Sequence, residues 1–201
     1  AGLNRISLGV QSCDDFFLKT LGRIHTVSQA IETYRLLRAA GVNNLNLDLI
    51  YGIMGQTLAT WQDSVRRALD LAPQHLSLYA LSLERGTPMH AWVQRGLLPE
   101  PDPDLAADMY EWASEQLDRR GFAQYEISNW ARGDGPEPRF ACQHNLQVWR
   151  NEPYLGFGAG AHGCADGCED LPRCIGTVKD QKQDCASHIV SLLTEYQAAS
   201  K

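Results

Sequence analysis

The chain has 201 residues, 44% hydrophobic and 21% charged, enough for one sizeable core with a small appendage. Its 18 basic and 24 acidic side chains leave a formal charge of −6, which argues against a uniform basic face for nucleic acid. No apolar run approaches the roughly 20 residues that span a bilayer, and no basic stretch precedes an apolar core near the start, so neither a transmembrane segment nor a secretion signal is expected.

The six cysteines stand at 13, 142, 164, 168, 174 and 185. Without a secretion signal the expected compartment is a reducing one, the cytoplasm, and a disulfide framework is a poor default.

In chain order, Arg5 to Val10 alternates as a strand. A helix is expected from Thr26, where Thr26 and Gln29 have capping-box spacing. Its apolar positions Val27, Ile31, Tyr34 and Leu37 keep a helical period until Gly41 stops it. A second strand, Leu45 to Ile50, is followed by a helix from about Leu58 to Leu71 with Leu58, Trp61, Val65 and Leu69 inward. A third strand covers Leu76 to Leu81. A further helix begins at the cap Asp102 and Pro103, turns Leu105, Met109, Trp112 and Leu117 inward and ends at Gly121. An apolar-aromatic stretch (Tyr125 to Trp130), a turn-rich loop (Gly133 to Pro138) and a glycine loop (Gly156 to His162) complete the ordered pattern.

Strands alternating with helices at this spacing imply βαβ units and a parallel sheet. Asn46 and Asp48 fall on one face of the second strand, where a sheet covered on both sides would be almost wholly apolar. That face must therefore line a site or a filled barrel interior, since buried polar groups without partners are costly. Ligands of such sheets bind at the carboxyl ends of the strands, and Gln11, Asp48 and Ser82 fall at or near those ends.

An ordered set of short motifs carries a resemblance. It comprises Asn4-Arg5-Ile6-Ser7-Leu8-Gly9-Val10-Gln11-Ser12, Leu21-Gly22-Arg23-Ile24-His25, Asn46-Leu47-Asp48-Leu49-Ile50-Tyr51-Gly52 and Leu76-Ser77-Leu78-Tyr79. Gly86-Thr87-Pro88, Tyr125-Glu126-Ile127-Ser128-Asn129, His144-Asn145 and Tyr154-Leu155-Gly156-Phe157-Gly158 follow. Over about residues 1–163 the set resembles the radical S-adenosylmethionine proteins of the oxygen-independent coproporphyrinogen oxidase and haem chaperone family, more closely its chaperone branch. The resemblance implies an α/β fold: the second half of a partial TIM-like (βα) barrel over residues 1–100, the start of a small α+β C-terminal region over 101–163, and a divergent cysteine-rich tail over 164–201.

Proteins of this kind hold a 4Fe–4S cluster on a Cys-x3-Cys-x2-Cys loop and bind S-adenosylmethionine at the iron the cysteines leave free. The sequence starts downstream of the place for that loop, so the cluster is expected only in a longer protein and no radical chemistry is expected of the chain alone. Cys164-x3-Cys168 copies half the motif, but Cys174 follows after five residues instead of two, and a cluster there is not expected.

The resemblance assigns roles residue by residue. Gln11 matches a glutamine bonded to the nucleoside, and an amide offers both donors and an acceptor to ribose hydroxyls; its bland alternative is a polar strand end in water. Arg23 matches an arginine on the methionine carboxylate, a pairing the planar guanidinium suits; the alternative is a surface cation. Asp48 matches an aspartate that accepts from the cofactor, with an internal salt bridge as the alternative. Ser82 stands where the main chain makes the contact. Met54 replaces the family's usual proline, which loosens that loop.

His144 is the candidate haem ligand: the run His144-Asn145-Leu146-Gln147-Val148-Trp149 resembles His-Asn-x-x-Tyr-Trp of the chaperone branch, with Val148 in place of the tyrosine and Trp149 expected on the macrocycle. By itself a histidine is more often a structural hydrogen bonder. Cys142 is expected to be a small buried hydrophobe rather than a sulfur ligand. The tail spacing x3, x5 and x10 fits no common zinc framework.

The functional expectation is thus a haem-handling protein that binds S-adenosylmethionine and haem (or a porphyrin) and passes haem to an accepting protein. The rivals are an oxygen-independent coproporphyrinogen oxidase, which converts propionates to vinyl groups, and a structural barrel piece that binds nothing. An opened barrel exposes strand edges, so self-association is also expected.

Overall fold

The computed structural model describes residues 4–154 and residue 163. The chain divides into two compact units, Ala1–Ala141 and Cys142–Lys201. The glycine loop at 156–162 and the cysteine-rich tail expected from the sequence lie outside the described residues.

In the first unit the expected βαβ series is present. β1 (Ile6–Gln11), β2 (Leu45–Tyr51) and β3 (His75–Ala80) pair in parallel, Ser7 with Asn46 and Asn46 with His75, Gly9 with Asp48 and Asp48 with Ser77. α1 (Asp15–Thr20) and α2 (Val27–Ala39) connect the first two strands, and α3 (Leu58–Asp70) connects the second to the third. α2 starts where its sequence says it should. The Thr26 hydroxyl accepts from Gln29 N, the Gln29 side chain accepts from Thr26 N, and both orphan amides of the first turn are satisfied.

After α4 (Pro88–Gln94) comes α5 (Pro103–Arg119), capped by Asp102, whose Oδ1 accepts from the N–H groups of Asp104 and Leu105, both at 3.0 Å. Then the sheet changes character. The Tyr125 to Trp130 stretch is a hairpin, β4 (Phe122–Glu126) and β5 (Asn129–Arg132), and β5 pairs antiparallel with β3 to give the order β1-β2-β3-β5-β4. The fold is α/β, a partial parallel sheet extended by an antiparallel hairpin.

The two faces of this sheet differ chemically. Leu45, Leu47, Leu49, Leu76 and Leu78 point one way into a core closed by α2, α3 and α5, with Trp61, Val65, Met109 and Leu117 fully buried there. Trp61 ties two of these helices together, because its Nε1–H donates to Met109 O at 2.9 Å. The helix stripes follow their expected period, and small side chains share the buried faces with the large ones: Ala30 on α2, Ser64 and Ala68 on α3 and Ala113 on α5. Leu58, Leu105 and Trp112 are only partly buried. On the opposite face the same strands present Ser7, Asn46, Asp48, His75 and Ser77.

The second unit contributes α6 (Gln143–Trp149), whose N-cap residue is Cys142. The thiol makes no side-chain cap bond, and the residue is half-buried. Among the described residues no helix is long and apolar enough to cross a membrane.

Candidate functional site

The polar sheet face is a connected array. Asp48 sits mid-strand in β2, half-buried, and its Oδ1 accepts from Asn46 Nδ2 at 2.7 Å. Among the described residues no cation pairs with Asp48, so the internal salt bridge is not what holds it. A carboxylate carries about four lone-pair sites, and one is taken. Asn46, 3% exposed, also donates to Ser7 Oγ at 3.2 Å. Its Oδ1 lies 2.7 Å from His75 Nδ1. Ser77 Oγ bonds Asn129 Oδ1 at 2.6 Å, and Asn129 in turn donates to Glu126 Oε1.

Burial pushes the His75 imidazole down to about 3, with the nearby Arg5 guanidinium adding to the effect, so the ring is neutral at any physiological pH. Tyr79, on the same face, has its phenol raised, first by burial and then by the negative charges of Asp48 and Glu126 against opposing hydrogen bonds from Ser77 and Asn129.

Gln11 joins this face by an unusual backbone. It is a non-glycine residue with φ of 67°, at a register irregularity between Gly9 and itself, and this turns its side chain back along the strand. A Cβ built on Gly9 would stand 2.6 Å from Gln11 Nε2, so the amide occupies the space that only a glycine leaves open. Gly9 is the register partner of Asp48. Gln11 and Asp48 are therefore neighbours across two strands.

Among the described residues, no side-chain bond joins the other expected residues, Arg23 and Ser82, to this pair. Arg23 is exposed in the link between α1 and α2, and among the described residues no hydrogen bond or ion pair joins it to Gln11 or Asp48. Ser82 is exposed just past β3, with its hydroxyl donating to Glu84 Oε1 at 3.2 Å. Two surface clefts open elsewhere, one of about 460 Å³ along Ile24, His25, Gln29 and Leu36, the other of about 530 Å³ between Asp14, Asp63 and Arg67. Neither contains Gln11, Asp48 or Ser82.

In the second unit His144 is exposed near the start of α6, and its ring meets the edge of Tyr154 at 6.2 Å between centroids. At about 100° per residue, Trp149 stands about 140° round the helix from His144, while Val148 shares its face. The apolar neighbour of the imidazole on its face of α6 is Val148, at 39% exposure, and Trp149 is exposed on another face.

His75 and Tyr125 were given no role from the sequence, yet they anchor the array: His75 Nε2 lies 2.8 Å from the Tyr125 hydroxyl, and the rings meet at 5.6 Å. The signal was available in the alternation His75, Ser77, Tyr79 against Leu76 and Leu78. Gln56, 3% exposed in the loop after β2, accepts from Ile53 N at 3.2 Å while its Nε2 has no partner.

Residues 1–68 match the model of the radical SAM superfamily. The chain is 38% identical over 195 residues to the heme chaperone HemW of Bacillus subtilis (strain 168), a match covering 97% of this chain and 48% of that protein. The chain belongs to the radical SAM superfamily. It is also 44% identical over 163 residues to the mouse protein named radical S-adenosyl methionine domain-containing protein 1, mitochondrial, covering 81% of this chain and 36% of that one. Coproporphyrinogen III oxidase (HemN) from Escherichia coli, described as a radical SAM enzyme, superposes with a TM-score of 0.61 at 22% identity over 81% of this chain and 39% of its own, which shows the shared radical SAM fold. The chain spans less than half the length of each of these radical SAM relatives.

A radical SAM protein carries an iron–sulfur cluster, and the described residues do not fit one. Among them no group of three or more His, Cys, Asp or Glu side chains is placed to hold a metal. Burial pushes the Cys13 thiol up to about 11, the reverse of what a thiolate ligand needs. On the polar face, Asp48 keeps a carboxylate oxygen with no hydrogen bond among the described residues, and the Gln11 amide lies over Gly9, the register partner of Asp48, donor and acceptor types that suit nucleoside hydroxyls.

Proposed function

We propose that this chain is the portion of a haem-handling radical SAM protein that grips S-adenosylmethionine on the polar sheet face and haem at His144, in haem or porphyrin metabolism. The observation that carries the reading is the juxtaposition of Gln11 and Asp48, with the amide folded over Gly9 and the carboxylate in register beside it. Asp48 accepts from hydroxyls of the nucleoside, Gln11 both donates and accepts, and the main chain at Ser82 and the Arg23 guanidinium complete the grip. With a cluster, which the described residues do not hold, that cofactor would supply radical chemistry. This chain's own residues hold and orient it.

The relatives favour the chaperone assignment, since a bacterial protein of that name matches nearly the whole chain. His144 supplies an imidazole at the surface, where a haem and then an accepting protein can reach it. The mouse relative is mitochondrial by name, so the compartment we assign is the interior one in which haem is made and loaded, bacterial cytoplasm or its mitochondrial counterpart.

Haem titrated into the full-length protein and its His144→Ala variant tests the ligand. The expected result is a changed absorption band and about a tenfold loss of affinity, the scale of about 1.4 kcal/mol; identical spectra and affinity would remove His144 as a ligand. Turnover of coproporphyrinogen III by the same preparation, with reductant supplied, would shift the reading to the oxidase.

A further inference from the structure

We propose that His75, at the far end of the polar array, is a positioning residue that fixes the orientation of the Asp48 carboxylate through Asn46 and so sets affinity for the nucleoside. This rests on the reading of Asp48 as the group that accepts from S-adenosylmethionine.

An ionised carboxylate only accepts, so the Asn46 group 2.7 Å from Asp48 Oδ1 must be its NH2. The Asn46 carbonyl then faces away, toward His75 Nδ1 at 2.7 Å and Ser77 Oγ at 3.2 Å. Ser77 has one proton, and Asn129 Oδ1 at 2.6 Å is a nearer acceptor for it than Asn46 Oδ1 at 3.2 Å. The donor to Asn46 Oδ1 is therefore His75 Nδ1–H. A neutral imidazole with its proton on Nδ1 leaves Nε2 an acceptor, and the Tyr125 hydroxyl 2.8 Å away donates to it.

Every bond in the line from Tyr125 through His75 and Asn46 to Asp48 thus has one direction. Reversing the Asn46 amide would set its carbonyl against the Asp48 carboxylate at 2.7 Å, two acceptors with no proton between them. The burial of the middle of the line, with His75 fully inaccessible and Asn46 at 3% exposure, removes water as a substitute partner. What His75 protects is the geometry of Asp48, the half-buried carboxylate at the end of the line.

The test is the affinity of the full-length protein for S-adenosylhomocysteine, measured by calorimetry beside each variant's melting temperature. His75→Leu, which has no donor, is expected to lose about tenfold in affinity. His75→Asn puts an amide N–H close to the place of Nδ1–H and is expected to recover to within about threefold of the wild type. Both variants are expected to melt at similarly lowered temperatures, so recovery of binding separates positioning from stability. Should His75→Leu not fold, His75→Gln, whose N–H reaches toward Tyr125 instead, takes its place with the same expected loss. Binding by His75→Leu equal to wild type, or no recovery in His75→Asn, overturns the proposal. Asp48→Asn separates the two layers: if it loses affinity while His75→Leu does not, only the role of His75 falls; if it too binds normally, the reading of the site falls and takes this one with it.

Discussion

At the scale of single residues, burial fixes the ionisation of two side chains on the polar face, the His75 imidazole and the Tyr79 phenol. His75 is the clearest, and it gives the fold a pH dependence of definite sign. Its pKa is about 3 in the folded chain and near the ordinary 6.5 when unfolded. Above about pH 6.5 the imidazole is neutral in both states and contributes no slope. Below it, the unfolded chain binds a proton that the folded chain refuses, so stability falls as pH drops toward about 3, at up to about 1.4 kcal/mol per pH unit. Urea denaturation at pH 7.0 and 5.5 is expected to show this fall in the wild type and a shallower one in His75→Asn; equal slopes would mean that the ring already titrates in the folded state. Asp48 was legible from the strand pattern alone, because a carboxylate among leucines needs a reason. His75 was not, because one histidine at a strand end looks the same whether it is buried or wet, and only the pairing of β2 with β3 brings it to Asn46.

At the scale of elements, what could be read from the sequence was what carries its own local signal. β1, α2, β2, α3, β3 and α5 begin and end within a residue or two of the expected places, since each has a cap, a glycine stop or an unbroken period. The helices α1, α4 and α6 have six or seven residues each, too few turns for a stripe to stand out. The hairpin escaped for another reason. Its turn, Ile127-Ser128, lacks the Asn-Gly or Asp-Gly signature, so two strands read as one apolar stretch, and their antiparallel pairing with β3 is a tertiary fact. The caps can be tested. Asp102 holds two amide protons at the start of α5, the helix that covers the core beside Trp61. Asp102→Ala is expected to cost about 1 kcal/mol in urea denaturation; no loss would mean that water or a neighbour replaces the cap.

At the scale of the molecule, the sheet separates two tasks. The leucine face, closed by helices, supplies stability, and the polar face carries the array that our proposal assigns to ligand binding. The price is polar side chains buried deep in a β-sheet, stable only because each finds its partner. β1 ends the sheet on one side, with a row of backbone groups that no described strand pairs, the physical reason to expect self-association of the isolated chain.

The central claim is that the polar face holds a nucleoside between Gln11 and Asp48. Calorimetric titration of S-adenosylmethionine into the full-length protein and its Gln11→Ala and Asp48→Asn variants tests it most directly. Each substitution is expected to weaken binding about tenfold, the loss of roughly one hydrogen bond to a polar ligand. Wild-type affinity in both variants would contradict it.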